Sequence, residues 1–306
     1  MNPTYLHTAR LLTQVAPSVF ADGIFALKGG TAINLFLRDM PRLSVDLDVV
    51  FPDHRVPRNV ALAQIQQAMG QAAERLRARG FQTHSVPTGD VEARLWVRRE
   101  SLQVKVEVNI VMRGTVAPVR RVGLSSRARD ILQADLSVPM VAPEDVYGGK
   151  LVAAMDRQHP RDLFDVMQLF DHEGITDAIR KAFVVYLACS NRPVHEVLFP
   201  SMRDVGHSYA HNFQGMTAHP VALDQLLAAR ERMAHELQTG LSWAERTFLV
   251  SLVSGDPHWD VMGIPHLAHL PGVQWKLRHL QILRHANPRK FVEQAQLLAD
   301  RLGVVL

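Results

Sequence analysis

Between positions 24 and 50 the sequence sets an apolar run, a glycine pair and a doubled acid in one order, and that order constrains the fold more than any other feature. Ile24-Phe25-Ala26-Leu27 is too short for a helix and stops at Gly29-Gly30, which predicts a buried strand ending in a tight turn. Thr31 to Leu37 then resumes a helical pattern. Val45-Asp46-Leu47-Asp48-Val49-Val50 alternates acid and aliphatic, which predicts a half-buried strand with both carboxylates on one face. The chain between Gly30 and Asp46 is long enough for one helix and a return to an adjacent strand, so the glycine turn and the two acids are expected side by side.

That pairing has a chemical reading. Glycines between a strand and a helix let backbone N–H groups approach an anion at the positive end of the helix dipole. Two adjacent carboxylates repel unless a cation lies between them. Hard oxygen ligands beside a phosphate cradle describe a Mg²⁺ and nucleoside triphosphate site. The segment is not a Walker A loop, because Lys and Ser/Thr do not follow the glycines at the required spacing. Alone, a glycine pair is usually a turn and an Asp-x-Asp usually a solvated strand face; the combination carries the information.

The rest of the chain divides by texture. A helix is expected over residues 5–20 and another over 58–79, ending at Gly80. Strands are expected over 81–86, 92–99, 102–112 and 116–122. After Pro139 almost everything has helical character: 143–156, 161–171, 175–188, 221–238, 242–254, 272–285 and 289–302. Residues 190–220, with three prolines and several His, Asn and Gly, are expected to be a long loop. The predicted layout is α+β, with residues 1–139 as a sheet-containing domain and 140–306 as a mainly helical one.

Charge follows the same division. Residues 1–150 carry 19 basic and 14 acidic side chains and the remainder 15 and 16, so the positive excess belongs to the first half. It is densest over residues 94–129, where nine bases face two acids, a band compatible with a phosphate backbone. The single cysteine, Cys189, excludes an intramolecular disulfide and a cysteine-based zinc cluster. The fifteen histidines contain no His-Glu-x-x-His. No stretch of about 18 apolar residues predicts a membrane span. Met1-Asn2-Pro3-Thr4-Tyr5 lacks the basic and apolar regions of a signal peptide, so a soluble cytoplasmic protein is the expectation.

Gly29-Gly30-Thr31-Ala32 followed by Arg42-Leu43-Ser44-Val45-Asp46-Leu47-Asp48 resembles the nucleotidyltransferase fold of the DNA polymerase β type, and specifically the AbiEii/MenT-like toxin family. The resemblance continues in Tyr147-Gly148-Gly149-Lys150-Leu151-Val152-Ala153-Ala154, in Arg157 and in Pro160-Arg161-Asp162-Leu163-Phe164-Asp165, and covers at least residues 24–172. It implies a polymerase β-like core with a mixed sheet, followed by a helical C-terminal domain that completes the nucleotide cleft. It implies a third carboxylate on a neighbouring strand. Glu107 fits, because Lys105, Glu107 and Asn109 share one strand face and Val104, Val106 and Val108 the other. Asp46, Asp48 and Glu107 would then hold one or two Mg²⁺ ions. Gly29, Gly30, Thr31 and Ser44 would cradle phosphate oxygens. Lys150, Arg157 and Asp162 would contact the nucleotide, with Asp165 as the alternative to Asp162.

The activity implied is Mg²⁺-dependent transfer of a nucleotide from an NTP to an RNA acceptor such as the tRNA 3′ end, blocking translation. A cognate antitoxin is the implied partner. Transfer to a small molecule, transfer to a protein hydroxyl, and nucleotide binding without catalysis are the alternatives.

Overall fold

The computed structural model describes residues 3–88 and 91–305. The reading of the N-terminus rests in part on Met1 and Asn2, which lie outside the described residues. The chain divides into two compact units. One comprises Met1–Val146 with Phe213–Val221, and the other Tyr147–Asn212 with Ala222–Leu306.

The first unit is built on a seven-stranded mixed sheet. Its strands are β1 (Ala26–Lys28), β2 (Asp46–Val50), β3 (Gln82–Thr88), β4 (Val91–Arg99), β5 (Leu102–Asn109), β6 (Arg120–Gly123) and β7 (Ser137–Met140), in the order β3-β4-β5-β2-β1-β7-β6. β2 runs parallel to β5 and β1 parallel to β7, while the other neighbours are antiparallel. Period-two alternation gives the central strands two unlike faces. Leu47, Val49, Leu95, Val97, Val104, Val106 and Val108 are buried, each contributing roughly 1.5–3 kcal/mol of apolar burial. Helix α1 (Pro3–Phe20) packs on β5 and the long helix from Arg58 to Ala78 packs on β4. The alternate positions Asp46, Asp48, Lys105 and Glu107 stay partly open.

The helix expected after Gly30 is present with altered winding. A single α-turn, α2 (Gly29–Thr31), runs directly into a π-helical segment, Ala32–Leu37. The long helix Arg58–Ala78 is α3, and α4 (Ser126–Leu132) follows β6, capped by the Ser125 hydroxyl accepting from the Ala128 N–H.

The expected strand over 116–122 begins only at Arg120. The Asp145 carboxylate accepts the N–H groups of Val116 at 2.7 Å and Ala117 at 2.9 Å, so those amides bond to a side chain instead of a neighbouring strand. Residues 190–220 are likewise more than a loop. They contain α8 (Val194–Leu198) and α9 (Gly206–Asn212), and their last part pairs with residues 41–43 of the first unit. Leu43 N–H donates to Met216 O at 3.0 Å, and Ala218 N–H donates to Pro41 O at 2.8 Å. Pairing between residues this far apart leaves no local pattern for composition to reveal.

The second unit is helical: α6 (Pro160–Phe170), α7 (Asp177–Ala188), α8, α9, α10 (Leu223–Thr239), α11 (Trp243–Val253), α12 (Pro271–Ala286) and α13 (Pro288–Leu302), together with most of α5 (Pro143–Arg157). Its core includes Leu163, Phe183, Leu187, Leu226, Phe248, Leu252 and Leu298. No described helix is long and apolar enough to cross a membrane.

Candidate active site

The glycine pair is demanded twice over. Gly29 has φ +76°, in the left-handed region that side chains resist, and a Cβ there would lie 2.7 Å from Asp48 Oδ2. Gly30 meets Arg42 and Ser44 instead; a Cβ there would lie 2.8 Å from Arg42 Nη2 and 3.1 Å from Ser44 Oγ. The turn is therefore pressed directly onto the Asp48 carboxylate on one side and the Arg42-x-Ser44 segment on the other.

Hydrogen bonds pin that segment to β2. Thr31 Oγ1 donates to Asp46 O and lies 3.0 Å from Ser44 Oγ, with both hydroxyls buried. Asn34 Nδ2 donates to Gly30 O at 2.9 Å, and the buried Arg42 donates through Nη1 to Leu43 O at 2.9 Å. Thr31 and Ser44 are thus engaged with each other, as the fastening between α2 and β2.

Strand register arranges the charges in a row across the sheet. Arg94 lies opposite Glu107, Glu107 opposite Asp48, and Asp48 opposite Lys28. One step along, Lys105 lies opposite Asp46. Two acids of β2 are therefore flanked by cations on neighbouring strands. Arg94 Nη2 is 2.7 Å from Glu107 Oε1, and Lys105 Nζ is 2.8 Å from Glu107 Oε2.

Burial alone would lower the Lys105 pKa. The hydrogen bond to Glu107 and the charges of Asp46, Glu107 and Asp48 outweigh it and raise the ammonium above its ordinary value. Burial would raise Glu107, but its bonds and charge interactions with Lys105 and Arg94 hold it below the ordinary carboxylate range.

The donor set accommodates a hard cation at two carboxylates, Asp46 and Asp48, which are half-buried on one face. Among the described residues no group of three acids, histidines or cysteines converges as a metal cage. Glu107 lies on the neighbouring strand as expected, but each of its oxygens is held by a cation.

In the second unit, α5 and α6 gather the other expected residues. Lys150 Nζ lies 2.8 Å from Asp162 Oδ1 and 2.9 Å from Asp165 Oδ2, with all three side chains buried. Arg157 Nη2 lies 2.8 Å from Asp162 Oδ2 and is itself largely exposed. The sequence treated Asp162 and Asp165 as alternatives; both reach the same lysine. Gly148 and Gly149 let α5 approach α7 closely. A Cβ on Gly148 would fall 2.8 Å from the backbone of Ala182 and Phe183 in α7, and one on Gly149 would lie 3.4 Å from the Tyr186 ring. The α5–α6 corner turns at Gln158, φ +53°, whose buried amide donates to Ser201 O and accepts from the Arg203 N–H. The late segment around Trp259 and Lys276 is part of this unit's packing: Phe248 and Trp259 are tilted against each other, and Lys276 donates to the carbonyls of Ser190 and Arg192.

The sequence profile of the nucleotidyl transferase AbiEii toxin, type IV toxin–antitoxin system, matches residues 10–278, and the chain belongs to that family. Among solved structures, MenT4, a nucleotidyltransferase toxin from Mycobacterium tuberculosis H37Rv, is similar in fold. It has a TM-score of 0.59 and 18% identity, over 90% of this chain and 94% of that one. A search of curated protein sequences finds no match.

Proposed function

We propose that this toxin transfers a nucleotide from an NTP to an RNA acceptor, the 3′ end of tRNA, in a Mg²⁺-dependent reaction that blocks translation. The observation that carries the reading is the close approach of Gly29 to Asp48: a turn able to cradle phosphate is seated against a carboxylate of the Asp46–Asp48 pair. In the reaction the acceptor hydroxyl attacks the α-phosphorus in line, the α–β anhydride bond breaks, and pyrophosphate leaves with the bonding electrons.

Asp46 and Asp48 are the residues that would hold Mg²⁺, which when bound neutralises phosphate charge and favours the attacking alkoxide. Gly29 and Gly30 admit the triphosphate against bare backbone, with Thr31 and Ser44 keeping that backbone in place. Glu107 works as an anchor: it holds Lys105 and Arg94 as a fixed positive field beside the acidic pair. In the second unit, Asp162 and Asp165 fix Lys150, and Asp162 holds Arg157, giving two oriented cations for nucleotide phosphates. The basic band over 94–129 supports an RNA acceptor, and membership of a type IV system supports a cognate antitoxin as partner. On this reading the protein acts in the cytoplasm, where tRNA is found.

The test uses the full chain with Mg²⁺, each α-labelled NTP in turn, and total tRNA. Label enters tRNA with wild-type protein and not with Asp46→Asn. No incorporation with any NTP, or equal incorporation by Asp46→Asn, overturns the reading. Label in a protein or small molecule with none in tRNA overturns the acceptor assignment.

A further inference from the structure

The helical half of the chain conceals a segregation of charge. Residues 151–306 hold 15 bases and 16 acids, yet residues 261–292 contain Lys276, Arg278, Arg284, Arg289 and Lys290 and not one acid. The rest of that half is left with ten bases against 16 acids. The acid-free run includes all of α12 and the first turn of α13. Lys276 turns inward, donating to the Ser190 and Arg192 carbonyls, and the other four cations are exposed. Arg289 pairs with Glu293 at 2.7 Å, whereas Arg278, Arg284 and Lys290 make no ion pair among the described residues.

Helix electrostatics do not account for this placement. Arg289 and Lys290 open α13 with no acid in its first turn, at the end where the helix dipole disfavours cations. The Arg284 guanidinium, 5.7 Å from the centroid of the Phe291 ring, ties the C-terminal end of α12 to that same turn.

The outer face of α12 supplies the second observation. Trp275, Arg278, His279, Ile282 and His285 recur at i, i+3, i+4, i+7 and i+10, which makes one continuous stripe. Gly272, Val273, Lys276 and Leu280 form the buried face. On the stripe Trp275 is half-buried and the other four are exposed, Ile282 by 61%. The Trp275 and His279 rings lie 3.9 Å apart between centroids, and His279 Nδ1 donates to Trp275 O at 2.8 Å, which holds the ring pair. Rings and an aliphatic side chain facing solvent among unpaired cations combine what an RNA strand uses, flat surface for bases and charge for phosphates. An acidic protein would call on the charges alone.

We propose that α12 and the first turn of α13 form an RNA-docking surface. Arg278, Arg284 and Lys290 meet backbone phosphates, and the Trp275–His279 pair meets a base. The proposal rests on the RNA acceptor proposed above and gives that acceptor a holdfast in the helical unit.

The experiment measures binding of total tRNA to the full-length protein, without NTP, by fluorescence anisotropy over a range of salt concentrations. Wild type is compared with the double variant Arg278→Gln, Lys290→Gln. A second double variant, Lys181→Gln, Arg232→Gln, removes the same charge from the same unit outside the acid-free run. In the first variant the slope of log K against log salt is smaller by about two, one for each lost phosphate contact. The second variant and Asp46→Asn keep the wild-type slope. An unchanged slope in the first variant overturns the docking surface, even where label still enters tRNA. An equal loss in both double variants reduces the effect to net charge and also overturns it. Weaker binding of polyglutamate by the first variant, with tRNA binding unchanged, assigns the surface to an acidic protein and overturns the RNA reading of it. If the first variant alone loses slope while wild type transfers no label to tRNA, the docking surface stands and the acceptor assignment falls.

Discussion

Replacing Gly29 by alanine tests the contact on which the catalytic reading rests, and Gly23 provides its control. Both glycines have positive φ, +76° and +69°, so each alanine variant carries a left-handed penalty of roughly 1–2 kcal/mol. Their surroundings differ. A Cβ at Gly23 meets nothing within 4 Å, whereas one at Gly29 lies 2.7 Å from Asp48 Oδ2 and 3.2 Å from Asp48 Cβ. A carboxylate at the end of a short side chain can swing aside at little cost in stability, but it then leaves its place beside Asp46. The two variants should therefore lose similar stability, within about 1 kcal/mol of each other, on thermal melting. Their transfer rates should diverge: misplacing a reacting group by about 1 Å costs on the order of 100-fold. Labelled-nucleotide incorporation into tRNA should fall by about that factor for Gly29→Ala and stay near wild type for Gly23→Ala. Equal activity in the two variants, in either direction, would refute the argument that the glycine turn is seated on a working carboxylate.

Two further outcomes concern the helical unit. Gly148→Ala should destabilise by about 1–3 kcal/mol, because its Cβ would sit 2.8 Å from α7 backbone that cannot step back, whereas Gly149→Ala, facing the Tyr186 ring at 3.4 Å, should be milder; chemical denaturation of the pair decides. Lys276 and Cys189 should give the folded protein a broad stability maximum between about pH 9 and 10.5. Burial depresses Lys276 to about 8 from 10.5, so the unfolded chain holds the extra proton in that window and stability falls as pH drops from about 10.5 to 8, by at most about 3 kcal/mol. Burial raises Cys189 to about 12 from 9.0, so stability falls again as pH rises through that range. Melting curves of Lys276→Met should lose the slope on the low side; a parallel slope in variant and wild type would remove Lys276 as its cause.

What the sequence made legible was local. Alternation at Val45–Val50 marked β2 and the shared face of Asp46 and Asp48, because a strand's side-chain period is visible in six residues. The glycine turn was legible for the same reason, since its φ and its close approach leave only glycine as an option. Glu107 was found because the family resemblance implied a third carboxylate and its strand face fitted, but its occupation by Arg94 was not, because that depends on the antiparallel register of β4 on β5. Asp162 was preferred to Asp165 in the sequence, but the two helices present both to Lys150 at nearly equal distance, 2.8 and 2.9 Å. β7 was missed because its four residues include a proline and carry no extended alternation.

The return of Phe213–Val221 to the sheet-bearing unit bears on how the protein is made. Residues 41–43, which hold Arg42 against the glycine turn, find the carbonyl of Met216 and the amide of Ala218 only after the ribosome has passed position 218. A nascent chain already containing the glycines, both aspartates and Glu107 still lacks the strap that fixes Arg42. Synthesis order thus delays completion of the turn until more than two thirds of the polypeptide exists.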